Sequence, residues 1–184
     1  MENKSVVLFI RALHGGGAQR AMVRYANALS DRGYITTVLV LNSDGAFREE
    51  LSDKVNLITL RANRILTAIP EITRQLKNIK PDVIMVTEPA CNVAMIISRK
   101  LSGIKTRLLI REGLFPSVAV KESPYLQTRL SYKIAPYLYK KADVIVAIAS
   151  EMAEDMSKFL NIPRNDITLI PVNPVVTPKL YELA

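Results

Sequence analysis

An unbroken apolar run from Val6 to Ile10, three consecutive glycines at Gly15 to Gly17, and then a helix-period stripe leave few folds open to this chain. A run that does not alternate, rich in β-branched residues, reads as a strand buried on both faces, the hallmark of a parallel sheet. Ala18, Ala21, Met22, Tyr25, Ala26 and Leu29 form one apolar side of the following helix, with Gln19, Arg20, Arg24, Asn27 and Asp31 turned elsewhere. Gly33 is placed to end that helix, and Ile35 to Leu41 is a second strand. Strand, helix and strand at this spacing are a parallel crossover unit. Glycines let a ligand approach the backbone, and the open N–H groups at a helix start favour an anion, so the loop is a candidate phosphate cradle.

The alternation continues. Asn42 to Gly45 reads as a turn and Phe47 to Leu51 as a short helical piece, before a third strand, Val55 to Leu60, placed nearer the sheet edge by its half-alternating pattern. A helix is expected from about Ile69, with Pro70 in its first turn and Ile69, Ile72, Leu76 and Ile79 as its buried stripe. Asp82 to Val86 and Thr106 to Ile110 are strands four and five, separated by a helix from Ala90 to Ser102. A loop holding Gly113, Pro116 and Pro124 leads to a long helix, Tyr125 to Lys141, where Leu126, Leu130, Ile134 and Leu138 recur every four residues and Pro136 is expected to kink it. Asp143 to Ile148, Glu151 to Leu160 and Ile167 to Pro171 complete the pattern as strand, helix and strand. The class implied is α/β: a Rossmann-like, doubly wound, mostly parallel sheet of about seven strands. Residues 1–175 form that domain, and 176–184 read as the start of a linker or helix that stops before any cap, as in a piece of something longer.

The net charge of +8 favours acidic partners such as nucleotide phosphates or an anionic membrane surface. No helix-turn-helix, zinc-finger or aromatic RNA-binding signature accompanies it, so nucleic acid is not expected. Cys91 and His14 are the only residues of their kinds, which rules out an internal disulfide and a His/Cys metal cluster. No apolar run approaches the roughly 20 residues that span a bilayer, and no signal-peptide cleavage pattern follows the N-terminus. A cytoplasmic location is expected.

Ligands of such sheets bind beyond the carboxyl ends of the strands. The residues falling there are Arg11, His14 to Gly17, Asn42, Thr87, Glu88, Arg111 to Gly113, Ser150, Glu151 and Asn173. A nicotinamide dinucleotide is a poor match: Arg20 holds the third glycine position of the fingerprint, and the second strand ends Leu41-Asn42 without an acid for the ribose. A Walker loop fails because no Gly-Lys-Ser/Thr follows the glycines.

Gly16-Gly17-Ala18-Gln19-Arg20, Leu29-Ser30-Asp31-Arg32-Gly33, Lys80-Pro81-Asp82-Val83-Ile84, Asn92 within a helix ending Leu101-Ser102-Gly103, Ala142 to Ala147, Ser150 with Glu151 and Asp155, and Asn173-Pro174-Val175 occur in that order. Together they make the chain resemble the N-terminal, acceptor-side half of a family 4 glycosyltransferase of the GT-B fold, over nearly its whole length. The resemblance implies a retaining enzyme without an essential metal. It would transfer a sugar from a nucleotide-sugar to a glycan or lipid-linked acceptor in cell-surface polysaccharide synthesis. The nucleotide-sugar is then a substrate held mainly by an absent C-terminal domain through a Glu-x7-Glu motif, and no cofactor is expected on this half, which alone should be nearly inactive. Gly15, Gly16 and Gly17 would face the donor phosphates. His14, Glu88, Asn92, Arg111, Glu112 and Gly113 would shape the acceptor cleft. Two positions depart from the family pattern: Gln19 stands where Glu is common, and Gly113 where relatives often carry His. A rival reading is a non-catalytic Rossmann-like module that binds a nucleotide or a partner. Arg129, Lys133, Lys140 and Lys141, interleaved with Tyr125, Tyr132, Tyr137 and Tyr139, also make the long helix a candidate anchor to the inner face of an anionic membrane.

Overall fold

The computed structural model describes residues 4–171. Seven strands and seven helices alternate along them: β1 (Ser5–Ala12), α1 (Gly17–Asp31), β2 (Ile35–Asn42), α2 (Phe47–Glu50), β3 (Asn56–Thr59), α3 (Ile65–Ile79), β4 (Val83–Thr87), α4 (Pro89–Ser102), β5 (Arg107–Arg111), α5 (Pro116–Glu122), α6 (Leu126–Leu138), β6 (Val144–Ala147), α7 (Ser150–Leu160) and β7 (Ile167–Leu169). The strands form one parallel sheet in the order β3-β2-β1-β4-β5-β6-β7. This is the doubly wound, Rossmann-like arrangement, and the strand order reverses between β1 and β4. The Asn173-Pro174-Val175 motif and the 176–184 segment lie outside the described residues.

Side-chain alternation along the strands divides the core between the two sheet faces. Val7, Phe9, Leu39, Ile84, Val86, Leu108 and Ile110 point to one face, where Ile72 and Leu76 of α3, Met95 of α4, Tyr132 of α6 and Met156 of α7 cover them. Val6, Leu8, Ile10, Val38, Val40 and Met85 point to the other, against Met22, Val23, Ala26 and Leu29 of α1. Burial on both faces is what the unbroken run Val6 to Ile10 requires. β3 and β7 are the sheet edges, and β3 is only half-buried, in keeping with its mixed pattern.

The structure corrects three expectations. Helix α3 begins at Ile65 rather than near Ile69, so Pro70 lies inside it and not in its first turn. The amide that Pro70 lacks would have bonded to the carbonyl of Leu66, a residue 69% exposed whose carbonyl water can serve. Its buried residues are Ile65, Ala68, Ile72 and Leu76, with Ile69 and Ile79 half-buried beside them. Second, the stretch expected as a loop between β5 and the long helix contains α5, where Pro116 sits at the first helical turn that tolerates it. Third, the long helix stops at Leu138 and passes into a 3-10 turn, Tyr139–Lys141. Its four-residue apolar repeat does not face the core: Leu126, Leu130 and Ile134 are exposed, while Ser131, Tyr132 and Ala135 are buried. Among the described residues no helix is long and apolar enough to cross a membrane.

Candidate functional site

A cleft of about 1410 Å³ opens at the carboxyl ends of the central strands, at the reversal of strand order. Arg11, His14, Gly15 and Gly16 line it from the β1–α1 loop, Asn42 and Asp44 from the end of β2, and Thr87 and Glu88 from the end of β4. Gly113, Phe115, Val118 and Tyr125 form the opposite wall.

The glycine loop ends at Gly16, the residue that precedes α1. The first intrahelical bond runs from Arg20 N–H to the Gly16 carbonyl at 3.3 Å, so the amides of Gly17, Ala18 and Gln19 lie ahead of the ladder. No acidic residue occupies the first turn of α1, so the helix supplies no carboxylate of its own to its positive end. Gly15 has φ +110, a conformation that needs glycine; Gly16 and Gly17 do not have positive φ, and a Cβ on Gly17 would meet nothing within 4 Å. Gly17 is not among the cleft-lining residues.

Gln19 ties this loop to β4. Its side-chain oxygen accepts from Gly16 N–H at 3.1 Å, and its NH2 donates to Glu88 Oε1 at 2.7 Å. Only an amide does both, since a carboxylate at this position would face the carboxylate of Glu88. The departure at Gln19 is therefore matched to Glu88. Burial raises the Glu88 carboxyl above its usual range, opposed by the positive charge of Arg11 and by hydrogen bonds from Cys91 and Gln19. Glu88 also has φ +74 and ψ 133. The extended ψ is what the following Pro89 imposes, but the positive φ is strain, of order 1–3 kcal/mol, at a residue lining the cleft.

Asn92, Arg111 and Glu112 lie buried and are not among the lining residues. Glu112, with no exposed surface, accepts from Asn92 Nδ2 at 2.8 Å, from the Tyr132 hydroxyl at 2.7 Å and from the Tyr139 hydroxyl. Its backbone N–H bonds to the Val146 carbonyl at 2.9 Å, and Arg111 Nη1 lies 3.4 Å from Thr87 Oγ1. Burial pushes the Glu112 carboxyl up, while Tyr139, Tyr132, Asn92 and Arg111 pull it down. Burial likewise pushes both tyrosines up, so they remain hydroxyl donors. The cluster meets the needs of a buried carboxyl inside the protein and fixes the turn that presents Gly113 to the cleft. A Cβ on Gly113 would meet only Arg111 Nη1, at 4.0 Å, so the position at which the resemblance leads us to expect His has room for a side chain.

Of the strand-end residues picked out by sequence, the fold brings Arg11, His14, Gly15, Gly16, Asn42, Thr87, Glu88 and Gly113 around one cleft. Ser150 and Glu151 start α7 and do not line it. Three features were not legible beforehand: the Gln19–Glu88 link, the positive φ of Glu88, and the wall from Val118 to Thr128. The Glu-Pro pair was the available signal for the unusual backbone, and it constrains only ψ.

The model of Glycosyltransferase Family 4 matches residues 15–173. The chain belongs to this family. Among curated proteins no match is found. Solved structures share the fold at low identity. A lipopolysaccharide outer core galactosyltransferase, WaaB, superposes with a TM-score of 0.64 at 16% identity, over 94% of this chain and 46% of its own. HepE of Anabaena, in complex with UDP-glucose, gives 0.68 at 13% identity over 95% and 47%. Sucrose-phosphate synthase of Thermosynechococcus elongatus gives 0.68 at 14% over 91% and 48%. This family 4 chain spans about half the length of those structures and has the fold of one half of a GT-B glycosyltransferase.

Proposed function

We propose that this domain holds the acceptor of a retaining, metal-independent glycosyltransferase. The enzyme moves a sugar, of hexose type, from a nucleotide-sugar to a glycan or lipid-linked acceptor during cell-surface polysaccharide synthesis on the cytoplasmic side of a membrane. The observation that carries the reading is the cleft, in a family 4 domain, that joins the start of α1 to Glu88 and Gly113 at the strand-order reversal.

The division of labour follows from the chemistry of the walls. The donor diphosphate faces the Gly15–Gly17 loop, where backbone amides at the helix start favour negative charge. The donor itself is held mainly by a second domain across the cleft. The acceptor lies between His14, Glu88 and the Gly113 turn, where a half-buried carboxyl in a low-dielectric wall receives a sugar hydroxyl. HepE, whose structure holds UDP-glucose, and WaaB, a lipopolysaccharide galactosyltransferase, support a nucleotide-sugar donor and a surface-glycan product.

The test is turnover by the full-length protein with a panel of nucleotide-sugars and membrane-derived acceptors, followed as nucleotide release. Wild type should release nucleotide only when acceptor is present, and Glu88→Gln should raise the acceptor KM without changing the fold. Absence of acceptor-dependent release across the panel would overturn the reading.

A further inference from the structure

We propose that the α5–α6 face is a docking surface for an anionic bilayer. Among the described residues, eight of the eleven exposed large apolar side chains fall between Leu114 and Tyr137: Leu114, Phe115, Val118, Tyr125, Leu126, Leu130, Ile134 and Tyr137. The remaining three, Ile35, Leu66 and Leu101, belong to other elements and are scattered, as single exposed apolar residues normally are. On α6, Leu126, Leu130, Ile134 and Tyr137 recur at i, i+4, i+8 and i+11, one continuous stripe opposite the buried Ser131, Tyr132 and Ala135. A soluble domain rarely exposes such a contiguous stripe without a partner.

Charge selects the partner. Between Gly113 and Ala142 stand five bases, Lys121, Arg129, Lys133, Lys140 and Lys141, against one acid, Glu122. Arg129 and Lys133 are exposed and, at helical spacing, border the apolar stripe on one side. Bases beside an apolar stripe suit lipid phosphates above acyl chains, whereas a second copy would set like charges against each other. Tyr125 and Tyr137, 65% and 78% exposed, are amphipathic rings of the kind that settle at a bilayer interface.

Leu114, Phe115, Val118 and Tyr125 belong both to this face and to the cleft wall. Docking therefore sets the cleft mouth at the lipid surface, and a lipid-linked acceptor reaches Glu88 from the bilayer; that last step rests on the acceptor role proposed above.

Sedimentation of the full-length protein with vesicles tests the surface directly. At low salt it should pellet with phosphatidylglycerol-containing vesicles and stay in solution with phosphatidylcholine alone. The double variant Leu130→Ser, Ile134→Ser and the double variant Arg129→Glu, Lys133→Glu should each reduce the bound fraction roughly tenfold. Both should transfer sugar to a water-soluble acceptor as wild type does, which separates loss of docking from loss of the enzyme. The charge-reversed variant changes only exposed polar side chains, so it decides the matter if the serine variant is poorly folded. Failure to bind anionic vesicles, as when the second domain covers the face, or binding unchanged in the charge-reversed variant, would overturn the proposal.

Discussion

Replacing Gln19 by Glu tests whether the glycine loop and β4 are coupled as the hydrogen bonds imply. In the wild-type protein the Gln19 NH2 donates to Glu88 at 2.7 Å while its oxygen accepts from Gly16. Gln19→Glu exchanges that donor for a second carboxylate oxygen at the same distance. At an effective dielectric of about 20, two unit charges so placed repel by about 6 kcal/mol. Protonating one of them limits the penalty: holding a carboxyl neutral about three pH units above its unfolded pKa costs about 4 kcal/mol. Swinging the new side chain into solvent removes only the lost charge-assisted bond, about 1.5–3 kcal/mol. The expected loss of stability is therefore about 2–4 kcal/mol near pH 7.5, out of the roughly 5–15 kcal/mol typical of a domain. The sign with pH is fixed. A carboxyl whose folded pKa is raised contributes stability below its unfolded pKa and loses it as pH rises through the folded value, and Glu88 is already raised. The gap between variant and wild type should thus shrink as pH falls toward about 4.5. Urea unfolding followed by far-UV circular dichroism measures it. Equal stability near pH 7.5, or a penalty that does not vary with pH, would refute the coupling.

Glu112→Ala should cost about 3–5 kcal/mol, because it leaves the Tyr132 and Tyr139 hydroxyls and Asn92 Nδ2 buried with their acceptor gone, while Glu112→Gln should cost less than half of that; urea midpoints of both check it. Gly45→Ala should lower stability by about 2 kcal/mol or more, since φ is +131 and the new Cβ would lie 2.5 Å from His14 Cβ and 2.7 Å from the Leu13 carbonyl oxygen, with thermal unfolding as the measurement. Glu88→Gly should relieve the positive φ and leave stability within about 1 kcal/mol of wild type while transfer by the full-length protein falls, separating strain from function in one substitution. The chain of 184 residues by itself should bind nucleotide-sugars weakly, and calorimetry giving micromolar affinity would contradict a donor held by the second domain.

The sheet was legible because burial on two faces writes itself into sequence as uninterrupted apolar runs, seen at Val6 to Ile10 and Val83 to Val86. Helix α6 shows where that logic stops. Its four-residue repeat announces a helix but not which side is buried; Tyr132 on its inward side, and Tyr139 in the turn that follows, are held by bonds to Glu112, a residue far from both in sequence. Arg111 and Glu112, which the resemblance places in the acceptor cleft, find their partners inside the protein, in Thr87, Asn92 and the two tyrosines. Pro70 looked like the start of a helix because a first turn tolerates proline, yet it lies inside α3, one turn after Leu66, a residue open to water. The place of the glycine loop at the strand ends was readable, and Gly15 and Gly16 line the cleft there while Gly17 does not; the role of Gln19 depends on a side chain at the end of β4 that no local pattern reveals.

The central claim is that the cleft beside the Gly15–Gly17 loop is where a nucleotide-sugar meets its acceptor. Gly16→Val in the full-length protein tests it most directly. Gly16 lines the cleft, has φ −103, which any residue adopts, and a Cβ there would meet only Gln19 Oε1 at 3.7 Å. The domain should therefore fold with an unchanged unfolding midpoint, while kcat/KM for sugar transfer falls roughly tenfold or more as the side chain displaces the donor phosphates from the backbone amides. A folded variant that turns over at the wild-type rate would contradict the claim.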